Sequence, residues 1–283
     1  MSNKPRGGQN GRAAVEDELA ELGVPVRKRT RASKAASGAP HVPKEKFISA
    51  DGVPAMAVKT TLTPRGDNQK KLLAFLRDGR KIVWACGTAG TGKSMIAAYH
   101  AAELLRTKKI EKVFLVRPNI HCGKSVGMLK GGLVDKLAPL LAQTVTHLEK
   151  FLGKTFTTYC LEKGIIEMCA VEYLRGTSFE NCLVICEESQ GLTEDEFEMM
   201  MTRVGENAQL CFTGDQRQVD LKETTGLAKT LAHIEKVKKE RPDYLDTEDM
   251  NEFLTNMGVV TFTFEDVQRS KMVKALTKMY FHK

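Results

Sequence analysis

The chain has 283 residues, 42% of them apolar and 28% charged, which is enough to bury the core of one large α/β domain or two small ones. With 43 basic against 35 acidic residues the net charge is +8, and the excess is concentrated in the first fifty residues, as in Arg27-Lys28-Arg29-Thr30-Arg31. No apolar run is long enough to span a bilayer and the polar N-terminus lacks a secretory apolar stretch, so no membrane partner is expected.

Residues 1–55 are rich in Gly, Ala, Ser, Pro and Lys/Arg and show little hydrophobic periodicity, so a disordered basic extension is expected there. Such a run either keeps the chain solvated or contacts nucleic-acid phosphates without reading sequence. From residue 56 to 283 strands alternate with helices, the pattern of parallel β-α units in a single α/β domain. Lys81–Cys86 reads as a buried strand and Lys93–Arg106 as the helix after it. Lys112–Val116 is a second strand, followed by a Gly- and Lys-containing loop over 119–132 and helical periodicity from Leu133 to Leu152. Ile165–Val171 and Leu183–Cys186 are further strands. Thr193–Val204 is a helix whose start carries a capping pair, Thr193 with Glu196. Gln209–Thr213 is a strand, Gly226–Lys239 a helix, Arg241–Thr247 a turn-rich stretch, Val259–Phe264 a late strand and Lys271–Tyr280 a final helix. The seven cysteines lack paired metal-ligand spacing. Cys182 and Cys186 would share one strand face, and buried reduced thiols in a cytoplasmic compartment are expected.

Between the first strand and its helix stands Gly87-Thr88-Ala89-Gly90-Thr91-Gly92-Lys93-Ser94, a complete phosphate-binding loop. Its glycines let the backbone curl so that N–H groups point at phosphate oxygens, and the following helix adds its positive end. Lys93 would reach the β- and γ-phosphates of a nucleotide, and the Ser94 hydroxyl would ligate Mg²⁺. Hydrolysis needs in addition an acid for the metal and a base for water. The apolar run Leu183–Cys186 ends in Glu187-Glu188, and alternation along a strand would send the two acids to different tasks. Glu187 is the candidate for the metal side and Glu188 for the general base. The run Thr213-Gly214-Asp215-Gln216-Arg217-Gln218 closes the next strand at the edge where open α/β sheets bind ligands, and Gln218 is a candidate γ-phosphate sensor.

Taken together these segments resemble the PhoH-like ATPases, whose core is similar to the nucleotide-binding domain of superfamily 1 helicases. The resemblance runs from about Thr61 to Tyr280. It includes the phosphate loop, Val116-Arg117-Pro118, Leu174-Arg175-Gly176, the acidic strand with Gln190, Thr213–Leu221 and Phe262–Arg269. It implies a P-loop NTPase fold with a mostly parallel, RecA-like sheet flanked by helices, and an ATPase using Mg²⁺. Gln69, in an Asn68-Gln69 pair before the first helix, looks like the adenine-recognising glutamine of helicase-type ATPases. Glu188 and Gln190 look like the last acid and the glutamine of an Asp-Glu-x-Gln motif, in which Glu187 stands where the family usually has Asp. Arg269 occupies the place of a family arginine and is the candidate arginine finger, acting across a subunit boundary if the protein forms a ring. Arg117 and Arg175 are weaker candidates of the same kind.

The resemblance further implies a motor on single-stranded nucleic acid, RNA favoured over DNA. The basic loop Asn119–Lys130, with His121, Lys124 and Lys130, is either a solvated connection or the nucleic-acid contact. Aromatic residues make up only 6%, so backbone contacts rather than base stacking would carry such binding. Few residues follow the acidic strand, so a second helicase-like domain is not expected, and a ring, a hexamer by resemblance, would complete the site. The alternative is an ATP-dependent switch that binds a protein partner and turns over slowly. A small-molecule kinase fits poorly, because the chain lacks a lid segment.

Overall fold

Among the described residues six short, mostly apolar runs form strands, and the central ones are buried on both faces. The computed structural model describes residues 60–118, 133–215 and 225–281. The strands are β1 (Ile82–Gly87), β2 (Lys112–Arg117), β3 (Ile166–Ala170), β4 (Cys182–Cys186), β5 (Gln209–Gly214) and β6 (Met257–Phe262). They lie in the order β3-β2-β4-β5-β1-β6, and every neighbouring pair is parallel. All strand C-termini therefore reach one edge, which carries the phosphate loop, the acidic pair and Gly214-Asp215 side by side.

Side-chain alternation divides each strand between two cores. Val83, Ala85, Val113, Leu115, Leu183 and Ile185 face one layer of helices. That layer comprises α1 (Asp67–Arg77), α2 (Lys93–Arg106), α3 (Leu133–Leu152) and α4 (Lys154–Glu162). Trp84, Phe114, Val184 and Phe212 face the other side, toward α5 (Glu194–Met201) and α6 (Gly226–Glu240). There Trp84 stacks on Phe212 with centroids 5.4 Å apart, and Phe197 meets Phe212 edge-on at 5.1 Å. Helix α7 (Thr247–Asn256) runs directly into β6, and α8 (Lys271–Phe281) ends the described chain.

Most expected elements stand within two residues of their places. The capping pair forms as a reciprocal box, with Glu196 N donating to Thr193 Oγ1 and Thr193 N to Glu196 Oε2. Helix α5 stops at Met201 rather than continuing to Val204, because Val204 turns to bridge Phe179. Helices α1, α4 and α7 come as additions, and β6 begins at Met257, where α7 hands over to it without a loop. Asn68 and Gln69 lie within the first turn of α1, not ahead of it. The basic extension, the loop 119–132 and Gln218 lie outside the described residues. Among those described, no helix is long and apolar enough to cross a membrane.

Cys86, Cys160, Cys169, Cys182, Cys186 and Cys211 are free and buried, and Cys182 and Cys186 share the Trp84 side of the sheet. Burial pushes the thiols up, Cys182 to about 11 and Cys86 to about 12, so little thiolate forms near neutrality. Alkylation of the native chain at pH 8 should therefore leave these six unmodified until denaturant is added, as read by peptide mass spectrometry.

Candidate functional site

At the end of β1 the chain must turn while touching β6. A Cβ on Gly87, whose φ is +128°, would sit 2.1 Å from the Phe262 carbonyl oxygen, so no side chain fits there. The loop then winds to Gly92, and α2 starts at Lys93 with its first-turn N–H groups directed at the loop. Thr91 Oγ1 closes the turn by donating to Thr88 O at 3.0 Å. Lys93 is buried, and its Nζ donates to Gly87 O at 2.6 Å and Thr88 O at 2.9 Å. Burial pulls its pKa down, opposed by the carboxylates of Asp215, Glu187 and Glu188.

Glu187 is buried directly after β4, held by its N–H on Val116 O at 2.8 Å. Its Oε2 accepts from Ser94 Oγ at 2.8 Å and Thr213 Oγ1 at 2.7 Å, and its Oε1 from Thr144 Oγ1 at 2.8 Å. Glu188 is half-buried and adopts φ 53°, a left-handed conformation rare for a residue with a side chain. The two acids diverge through this turn, not through the strand alternation expected from the sequence, because β4 ends at Cys186. Gln190 spans the turn: its Nε2 donates to Glu188 Oε2 at 2.5 Å, and its Oε1 accepts from Asp215 N at 3.0 Å. Gly214 makes room for this bridge, since a Cβ there would lie 2.7 Å from Gln190 Oε1.

Two further segments brace the loop. Gln69 is buried; its Nε2 donates to Thr91 O at 2.7 Å and its Oε1 accepts from Arg65 N at 2.8 Å. That leaves one N–H and one lone pair of the amide. After β6, Gln268 N donates to Gly90 O at 2.9 Å, and Arg269 lies against Gly90, its Nε 3.0 Å from where a Cβ would be. Arg269 thus borders the phosphate loop of its own chain. Arg117 donates to Leu140 O at 2.9 Å, so its guanidinium serves helix α3. Arg175 is exposed after a 3-10 turn and does not line the cleft.

These groups surround one cleft of about 670 Å³, a volume suited to a nucleotide-sized ligand. The sequence profile of the family described as PhoH-like protein matches residues 61–281, which spans the whole of this arrangement. The chain belongs to that family. It is 32% identical over 207 residues to Protein PhoH of Escherichia coli (strain K12), covering 72% of this chain and 54% of that protein. It is 36% identical over 140 residues to the PhoH-like protein of Bacillus subtilis (strain 168), covering 50% and 44%. The chain thus spans about half the length of the curated relatives it matches. Among solved structures, the large terminase from a thermophilic bacteriophage is similar over 76% of this chain and 50% of its own, with a TM-score of 0.46 and 13% identity.

Of the PhoH-like motif residues, the phosphate loop, Gln69, Glu187, Glu188 and Arg269 meet at this cleft. Gln218, His121, Lys124 and Lys130 lie outside the described residues. Sequence reasoning passed over Thr144, which sits mid-helix without a motif, and gave no role to Thr213. Replacing Gln69 by Ala strips partners from Thr91 O and Arg65 N. Unfolding free energy should fall by about 1–3 kcal/mol in denaturant titration. ATP and GTP affinities should both drop because the loop itself loosens, and ATP should lose more because it also loses the amide.

Proposed function

We propose that this chain hydrolyses ATP with Mg²⁺ and that residues 56–283 form the ATPase domain. The observation that carries the reading is the 2.8 Å hydrogen bond from Ser94 to Glu187, which joins the phosphate loop to the acid at the end of β4. A hydroxyl and a carboxylate are hard oxygen donors of the kind Mg²⁺ takes. Among the described residues no cluster of three His, Cys, Asp or Glu offers a metal cage, so phosphate oxygens and water would complete the ion's shell. When bound, Mg²⁺ would neutralise charge on the phosphate oxygens.

The remaining tasks belong to side chains. Lys93, released from Gly87 O and Thr88 O, would turn its ammonium to the β- and γ-phosphates. Glu188 would take the proton from the attacking water, its Oε2 held by Gln190 so that the other oxygen is oriented for it. Arg269 would stabilise charge on the transferring phosphoryl group, and Gln218 would sense the γ-phosphate. Gln69 would use its remaining amide valences on adenine. Single-stranded nucleic acid, RNA in preference to DNA, is the proposed effector. Support comes from the +8 charge and the basic residues His121, Lys124 and Lys130. A hexameric ring and a cytoplasmic setting are also part of the proposed reading. An ATP-dependent switch that binds a protein partner and turns over slowly is the second reading.

Lys93→Ala should abolish nucleotide binding, whereas Glu188→Gln should retain binding and lower turnover by about a hundredfold or more. Single-stranded RNA should raise the native ATPase rate. Equal rates with and without RNA or DNA would favour the switch. Arg269 borders its own loop. Arg269→Ala subunits mixed with Lys93→Ala subunits should therefore show no recovered turnover.

A further inference from the structure

Helix α3 sends one hydroxyl into the site. Threonines inside helices commonly turn their hydroxyl back to the carbonyl one turn earlier. Thr146 does so, donating to Ala142 O at 2.8 Å, and Thr157 likewise to Gly153 O at 3.0 Å. Thr144 instead spends its proton on Oε1 of Glu187 at 2.8 Å. Both groups are buried, Thr144 at 3% and Glu187 at 8% exposure, so water does not compete for that oxygen. The helix that presents Thr144 is itself fixed. Arg117 holds Leu140 O one turn earlier, and Leu141 and Leu148 are fully buried on either side of Thr144.

The carboxylate of Glu187 therefore spans a gap. Oε2 meets Ser94 from α2 and Thr213 from β5, while Oε1 reaches across to α3. An aspartate at 187 is one methylene shorter and would not bridge from Ser94 to Thr144 without moving an element. We propose that Thr144 is a positioning residue that fits a glutamate to the metal side of the site, fixing Oε1 so that Oε2 stays turned toward Ser94. The proposal rests on the metal role given above to Ser94 and Glu187. Removal of the hydroxyl leaves a buried carboxylate oxygen without a donor and frees the carboxylate to rotate. Partners of this kind typically change metal affinity by about 10–100-fold.

The test uses the full chain with Thr144→Val, Thr144→Ser, Glu187→Asp and the Val/Asp double substitution. A ribose-labelled fluorescent ATP analogue is titrated in EDTA and then across Mg²⁺ concentrations, alongside melting curves and the Mg²⁺ dependence of ATP hydrolysis. Thr144→Val should raise the Mg²⁺ needed for half-maximal effect by about tenfold, with binding in EDTA unchanged. Thr144→Ser should restore the native response, and the double variant should be no worse than Glu187→Asp alone. If the valine variant does not fold, Thr144→Cys, a weak donor of similar size, carries the same comparison. A native Mg²⁺ response in Thr144→Val, an equal loss in EDTA, or indistinguishable Val and Ser variants would overturn the proposal. If the native chain binds nucleotide with no response to Mg²⁺, the metal role of Ser94 and Glu187 falls, and this proposal falls with it. A native response that Thr144→Val leaves unchanged rejects Thr144 alone.

Discussion

The buried carboxylate of Glu187 is the point on which the rest of the site depends. It draws hydroxyls from α2, α3 and β5 onto one acid, and each of those elements is fixed elsewhere by apolar packing. A buried carboxylate without such donors would be costly, by several kcal/mol as an order of magnitude. Three hydroxyl donors offset that cost. The strand order makes this possible. Because β5 lies between β1 and β4, Thr213 stands between the phosphate loop and the acid and can reach the same oxygen as Ser94.

The phosphate loop is held in the same way, by segments far apart in the chain. Gln69 braces it through Thr91 O from α1, and Gln268 braces it through Gly90 O from the turn after β6. These two supports are tied to each other, since Asn68 Nδ2 donates to Asp266 Oδ2 at 2.8 Å. Asp266 in turn accepts from Thr263 N at 2.8 Å, which shapes the turn that delivers Arg269. The close approach of Gly87 to Phe262 completes the frame, so β6 acts as a backing for the loop as well as a sheet edge.

Much of this was legible in the sequence because it is local. The phosphate loop is a contiguous pattern between an apolar strand and a helix, and the Thr193 cap announces α5 within four residues. Strands buried on both faces read as apolar runs, and all six were expected within two residues of their starts. What escaped depends on distance or on short elements. Thr144 and Glu187 are separated by 43 positions, and no periodicity links a helical threonine to an acid at a strand end. Helix α4 is nine residues long and follows Gly153 directly, too short a stretch for periodicity alone to mark it. Helix α7 opens with an Asp246–Asp249 capping box in a stretch whose proline and acids read as turns. The left-handed turn at Glu188 has no sequence mark at all, because the residue most suited to it would be Gly or Asn.

That turn bears on how the site divides labour between adjacent acids. Two carboxylates one residue apart on an extended strand would point to opposite faces, and one of them would enter a hydrophobic core. The structure avoids this by ending β4 at Cys186 and reversing the backbone at Glu188, so both acids stay on the cleft side. The left-handed conformation costs on the order of 1–3 kcal/mol. Hydrogen bonds from Gly191 N to Glu188 O at 3.0 Å and from Gln190 to the Glu188 carboxylate hold the turn against that cost. Because Gln190 also anchors to Asp215 N, the strain at Glu188 is referred to the end of β5, the strand that supplies Thr213 to Glu187. The two acids are therefore coupled through β5 as well as through the chain between them. A shift at the Gly214-Asp215 edge would reach the carboxylate beside Ser94 and the carboxylate beside Gln190 together.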